Sequence, residues 1–258
     1  MSETSMLIFL FLFGSVIGSF LNVCIVRIPG KLSIVLPASH CPACKTPIAW
    51  HDNIPLCSYI LLGGRCRYCK APISLRYFIV ELLTPCVLVA LYLWFGLSPA
   101  LPVAFAFSAA LIVVTFIDLQ HQIIPDVITL PGIVLCFACS FIVPWTRPAQ
   151  SLIGILVGGG VLYLFAAGYE LLAKKEGMGG GDIKLLAMIG AFLGWKGALV
   201  ALILGALGGS IIGILVMLLR GKNLKYAIPF GPFLSFGAFC ALLSGEQLIN
   251  LYLALGRP

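Results

Sequence analysis

"ALVALILGALGGSIIGILVMLL", residues 198–219, runs from just after Lys196 to just before Arg220 with Ser210 as its sole polar side chain. Wound as a helix at ~1.5 Å per residue, it is about as long as a bilayer's hydrocarbon is thick. Such a run belongs inside a membrane. Seven further apolar blocks read the same way, at 6–26, 77–96, 102–118, 127–143, 151–173, 183–195 and 230–254. The 258-residue chain is 61% hydrophobic and 10% charged, whereas water-soluble domains are ~45–50% apolar and ~25% charged. The polar surface needed to coat a soluble globule is missing. The expected fold is therefore an all-α polytopic membrane protein of about eight transmembrane helices. The first block is expected to stay as a helix, because Glu3 precedes it in place of a basic segment and no small-x-small cleavage site leads into a soluble domain.

Orientation follows from the basic residues. Of sixteen Lys and Arg, thirteen fall on one side of these spans: Arg27, Lys31, Lys45, Arg65, Arg67, Lys70 and Arg76 in the first loop, then Lys174, Lys175 and Lys184, then Arg220, Lys222 and Lys225. Arg147, Lys196 and Arg257 fall on the other side. Basic loops stay cytoplasmic, so both termini are expected to point away from the cytoplasm. The net charge of +7 is thus a topology signal first and an attraction to anionic lipid second. It does not call for nucleic acid.

The loop at 27–76 is the one connection long enough to hold a small fold, and it carries "CPAC" (Cys41, Cys44) and "CRYC" (Cys66, Cys69). Two such pairs complete a tetrahedron of thiolates around Zn²⁺, leaving no open position, so the site would be structural. Two disulfides are the alternative, and a reducing cytoplasm argues against them. Cys57 and His51, between the knuckles, are substitute ligands in a less symmetric set. Cys136 and Cys139 repeat the spacing inside the fourth span with no second pair nearby, and read as small residues on a membrane helix. The domain division expected from this is 1–26 as a first helix, 27–76 as a cytoplasmic zinc-binding domain and 77–258 as the remaining membrane domain.

Nine acids remain to be placed. Glu3 and Asp52 lie in polar segments and Glu81, Glu170 and Glu176 near helix ends, where solvated or snorkelling charge is the plainer reading, and Glu246 completes the count with Asp118, Asp126 and Asp182. Asp118, in "VTFIDLQHQIIPD", and Asp182, in "GMGGGDIKL" (residues 177–185), stand at the cytoplasmic ends of apolar spans. Ionisable groups placed so are costly and usually pair or do work. Two carboxylates at close range share a proton, and one then acts as base toward water while the other, protonated, polarises a peptide carbonyl. Gly179, Gly180 and Gly181 before Asp182 leave room for an extended substrate strand or for a neighbouring helix; a plain helix break explains them equally well.

At these residues the chain resembles the type IV prepilin peptidases, membrane aspartic proteases of the GxGD class. The likeness covers nearly the whole length: "GSFLNVCIVRIP" (Gly18 to Pro29), the four cysteines, "IDLQHQIIPDVITLP" (Ile117 to Pro131), "GMGGGDIKLLAMIGAFLG" (Gly177 to Gly194) and "IPFGPFLSFG" (Ile228 to Gly237). The resemblance implies that Asp118 and Asp182 are the catalytic pair, with Asp126 in a supporting role and as the rival first acid. It implies cleavage of the basic leader from type IV prepilins and type II secretion pseudopilins, at the cytoplasmic face of a bacterial inner membrane. It also implies N-methylation of the new terminus with S-adenosylmethionine. "VGGG" (Val157 to Gly160) follows no strand and reads as close helix packing, so methyl transfer rests on the resemblance alone. Two readings from other classes stand beside this. An ion-coupled transporter would use Asp118 and Asp182 as intramembrane carboxylates, but would place them near the midplane in repeated halves. A zinc-loop scaffold for a secretion apparatus would leave both aspartates idle.

Overall fold

A computed structural model of the chain describes residues 2–173, 179–220 and 229–255. Lys174, Lys175, Glu176, Gly177, Lys222, Lys225, Ile228 and Arg257, used in the sequence argument, lie outside the described residues. The described chain is helical: α1 (Glu3–Arg27), α2 (Cys57–Leu61), α3 (Leu75–Phe95), α4 (Ala100–His121), α5 (Asp126–Cys139), α6 (Pro148–Ala173), α7 (Gly180–Arg220) and α8 (Gly231–Leu255), plus a 3-10 turn at Trp50–Asn53. Among the described residues, α1, α3, α4, α6, α7 and α8 are each long and apolar enough to cross a membrane, and α5 is a shorter apolar helix. The chain divides into two compact units, Met1–Val113 and Val114–Pro258.

In the first unit α1 and α3 pack antiparallel through small residues. A Cβ on Gly14 would stand 2.6 Å from the Pro85 Cα, and one on Gly18 would stand 2.9 Å from the Glu81 Cα. One turn further, buried Asn22 donates from Nδ2 to the Tyr77 carbonyl at 3.0 Å. The contacts fall every fourth residue on both helices, the register that close small-x-x-x-small packing requires.

In the second unit α7 decides the architecture. Gly194 has φ +72° and ψ 176° inside it, a left-handed conformation that suits glycine. The Ala191 and Phe192 carbonyls, whose normal partners lie beyond this break, accept instead from Ser151 Oγ at 2.5 Å and Trp145 Nε1 at 3.0 Å. The half before the break, Leu185–Leu193, is buried throughout and packs on α6, with Gly190 against Gly154 and Leu186 against Gly158. The half after it packs on α8, where Ala201 meets Gly237, Gly205 meets Leu234 and Gly209 meets Phe233. The start of α8 also touches Asp118, so the second half of α7 returns to the level from which the first departed. The two expected spans 183–195 and 198–219 are thus the two halves of α7. They are joined at Gly194 itself rather than by the expected connection at 196–197, because one residue at positive φ turns the chain without a polar loop.

Candidate functional sites

Four thiols meet in the first unit. The sulfurs of Cys41, Cys44, Cys66 and Cys69 all lie within 4.8 Å of one another, and the Cys41 and Cys69 sulfurs are 3.8 Å apart. A tetrahedral zinc ion with sulfur at ~2.3 Å sets its ligands about 3.8 Å apart, whereas a disulfide needs ~2.05 Å. The donors fit a metal, and all four cysteines are free thiols.

The two knuckles are built alike. In the first, the Cys41 N–H donates to the Thr46 carbonyl and the Lys45 N–H to the Cys41 carbonyl; in the second, the Cys66 N–H donates to the Ala71 carbonyl and the Lys70 N–H to the Cys66 carbonyl. Lys45 and Lys70 both take φ of +60°, the left-handed step that turns each strand back so that two sulfurs point one way. The Thr46 hydroxyl on the Cys44 sulfur holds that thiol down at about 6. The Cys69 N–H does the same in direction for Cys66. Cys69 is pushed up to about 11: the Ala71 N–H lowers it, but partial desolvation and the neighbouring thiols outweigh that donor.

Asp52 accepts both Arg67 nitrogens, at 2.7 and 2.6 Å, tying the 3-10 turn to the second knuckle, and this ion pair holds its carboxyl below the usual range. Glu81 accepts from the Leu56 N–H at 2.8 Å, fastening the loop to α3. His51 and Cys57 stand outside the four-sulfur cluster. Cys136 and Cys139 lie on α5, apart from any cluster of three or more metal-ligating side chains among the described residues.

In the second unit the acids meet at the start of α7. Asp118, one turn from the end of α4, is only 5% exposed, and its Oδ2 accepts from the Gly231 N–H at 2.9 Å. Asp182 lies in the first turn of α7, close enough to Asp118 for their charges to interact. Its Oδ1 is buried and has no hydrogen-bond partner among the described residues. Ile124 joins the two sides. A Cβ on Gly181 would stand 2.8 Å from the Ile124 Cβ, and one on Gly231 would stand 3.3 Å from Ile124 Cδ1 and 2.7 Å from Asp118 Oδ2. Gln122 at φ +53° ends α4, and Pro125 holds Ile124 extended, so the short turn to α5 delivers this side chain between the glycines.

The three glycines before Asp182 have different neighbours. Gly181 is filled by Ile124, Gly179 lies beside Asp182 Oδ2, and a Cβ on Gly180 would meet nothing within 4 Å among the described residues. Asp126, at the start of α5, is half exposed and takes both of its short contacts from Lys184 Nζ, at 2.7 and 2.8 Å. Lys184 is therefore an inter-helix tie between α7 and α5. Sequence reasoning gave no role to Ile124 and none to Gly231 beyond its place in a Pro/Gly motif. Glycine on both sides of a bulky residue was the available signal, and it is visible only once the helices are in place.

An acid pair of this kind, held between two membrane helices and served by a backbone N–H, has the parts for water-mediated peptide hydrolysis. Comparison with known proteins agrees. Residues 12–95 match the bacterial peptidase A24 N-terminal domain, and residues 105–214 match the type IV leader peptidase family. A prepilin leader peptidase/N-methyltransferase of Aeromonas hydrophila is 38% identical over 94% of this chain and 92% of its own length. The protein of the same name from Pseudomonas aeruginosa is 35% identical over 94% and 91%. That from Myxococcus xanthus is 40% identical over 83% of this chain and 64% of its own. No solved structure matches. The ion-coupled transporter reading finds no support in these matches.

Proposed function

The chain belongs to the type IV leader peptidase family, and on that premise we propose that it is a membrane aspartic endopeptidase that cuts the basic leader from prepilins and pseudopilins. Asp118 and Asp182 are its catalytic pair. The observation that carries this reading is their convergence: two carboxyls from different membrane helices, one buried with a backbone donor and one with a buried oxygen that has no partner among the described residues.

The Gly231 N–H stabilises negative charge on Asp118, which suits Asp118 as the base that takes a proton from water. Asp182, whose Oδ1 has no such donor among the described residues, suits the protonated partner that donates to the scissile carbonyl. The water oxygen bonds to the carbonyl carbon, the C–N bond breaks, and the leaving amine collects a proton from the pair. Gly179 and Gly180, the latter with nothing within 4 Å of a Cβ among the described residues, would let an extended substrate approach Asp182, whereas Gly181, in the first turn of α7, is taken up by Ile124.

The four-cysteine cluster is read as a structural zinc site on a cytoplasmic domain at 27–76, with 1–26 as a first helix and 77–258 as the protease domain. Zinc would neutralise the thiolates and brace a loop too small to hold an apolar core. The same enzyme is read as methylating the exposed N-terminus, as the relatives' names indicate for those proteins. S-adenosylmethionine would supply the methyl group for that amine. The enzyme lies in the bacterial inner membrane with both aspartates at the cytoplasmic face, a placement supported by the thirteen basic residues on one side.

Cleavage of a synthetic prepilin by the purified protein, beside Asp118→Asn and Asp182→Asn variants, tests the reading. Processing by the parent and none by either variant is expected. Substantial processing by one variant sinks the paired-acid mechanism.

A further inference from the structure

Immediately after α1 the chain makes a small closed hairpin, "IPGKLSIVLP" (residues 28–37). The Leu32 N–H donates back to the Arg27 carbonyl at 3.0 Å. The Arg27 guanidinium reaches forward from the last turn of α1, donating to the Ser33 carbonyl at 2.9 Å and the Pro37 carbonyl at 2.7 Å. At the tip, Ser33 Oγ accepts from the Val35 and Leu36 N–H groups at 3.3 and 3.2 Å. The N–H groups of Lys31, Leu32, Val35 and Leu36 are thus met within the hairpin, and its aliphatic side chains are turned out. Val35 is 76% exposed, Leu36 71% and Leu32 63%, with Ile34 also exposed.

Three consecutive exposed aliphatic residues are a poor surface for water. They sit where water need not be their neighbour. Arg27 closes the loop at both ends, so the tip cannot rise from the end of α1 by more than an arginine side chain and a short turn allow. The exposed residues Leu12, Val16, Phe20 and Val26 give α1 a lipid-type surface, and the hairpin follows directly on the end of that helix, fastened to its last turn through Arg27. Lys31, exposed at the base of the hairpin with φ +52°, supplies the cation that anionic headgroups favour.

We propose that residues 31–36 form a membrane-inserting wedge: Leu32, Val35 and Leu36 enter the headgroup–acyl boundary beside α1 while Lys31 binds anionic headgroups, holding the four-cysteine loop down on the membrane. This rests on α1 crossing the membrane and not on the peptidase reading. A soluble or membrane-bound protein partner is the rival occupant, but the hairpin's continuity with α1 and its basic base favour lipid.

Photocrosslinking of the full-length protein in nanodiscs decides between them. With p-benzoylphenylalanine introduced at Val35, and separately at Leu36, irradiation is expected to give lipid adducts by mass spectrometry, as the same group does at Leu12 within the span. Adducts to this chain's own residues, or to an added prepilin peptide in preference to lipid, overturn the wedge. So does an absence of lipid adducts while Leu12 gives them. Lys31→Gln should lower the adduct yield by up to about fivefold in discs containing phosphatidylglycerol and leave it unchanged in zwitterionic discs. Equal yields in both discs overturn the headgroup contact.

Discussion

Around the four cysteines each knuckle is shaped by hydrogen bonds that close within five or six residues, from Cys41 to Thr46 and from Cys66 to Ala71. The aspartates are held otherwise. The bond that fixes Asp118 comes from Gly231, 113 positions away, and the tie beside Asp182 spans 58. A site of the first kind is written in spacing and needs its ion to complete it; one of the second kind needs a membrane domain folded around it. The two should therefore fail independently. Damage to the knuckles should cost metal, and damage to helix packing should cost the acid pair.

The largest effect belongs to the metal. A structural zinc site binds with an apparent ~10–16 kcal/mol near neutral pH, strongly pH-dependent. Loss of one thiolate by Cys41→Ser should abolish stoichiometric zinc, read by metal analysis of the purified protein under reducing conditions. The parent should hold about one zinc per chain. Limited proteolysis should then cut residues 38–73 in the variant and spare α6 to α8. A parent without zinc removes the structural-metal reading, and a variant whose membrane helices also become labile breaks the proposed independence.

Next come the acids. General acid–base groups contribute roughly 10²–10⁴-fold each, so Asp118→Asn and Asp182→Asn should lose at least that much cleavage while retaining full zinc. Zinc content is the useful control, because it reports the first unit while the cleavage assay reports the second.

Packing beneath the acids is third. Gly154 and Gly190 bring α6 and the first half of α7 so close that a Cβ on either would stand about 2 Å from the other's carbonyl. Overpacking of this kind costs ~1–3 kcal/mol, occasionally more. Gly154→Val should lower the thermal midpoint of the membrane helices, measured by circular dichroism in detergent, and leave zinc retention unchanged. Loss of zinc along with helix stability would show that the units are coupled.

The same contrast explains what was legible beforehand. Eight apolar spans, four thiols at metal-ligand spacing and two misplaced carboxylates are local signals, carried by composition and short-range pattern. The turn at Gly194 was displaced by two or three residues because a glycine at positive φ leaves no polar loop to read. Ile124 was overlooked for a different reason. An isoleucine before proline in a short turn between two spans is unremarkable until Gly181 and Gly231 arrive on either side of it from distant helices. Lys184 and Asp126 are each visible in the sequence but not as a pair, since their pairing depends on how α5 lies along α7.

That pairing gives the smallest effect and the sharpest test of how the acid site is assembled. Gly181 meets Ile124, Lys184 meets Asp126 and Met188 meets Gly132, so one stripe of α7 runs along the turn before α5 and then along α5 itself. Asp182 lies just off that stripe, and the ion pair steadies the helical turn that presents it. Because both partners are substantially exposed, the tie is worth at most ~1 kcal/mol, about fivefold in rate. Lys184→Met and Asp126→Asn should each lower kcat by no more than that with KM little changed, and the exchanged pair Asp126→Lys with Lys184→Asp should recover most of the loss. If Asp126→Asn instead abolishes cleavage as Asp118→Asn does, and the exchange rescues nothing, then Asp126 is the working acid and the buried Asp118–Gly231 contact serves the fold.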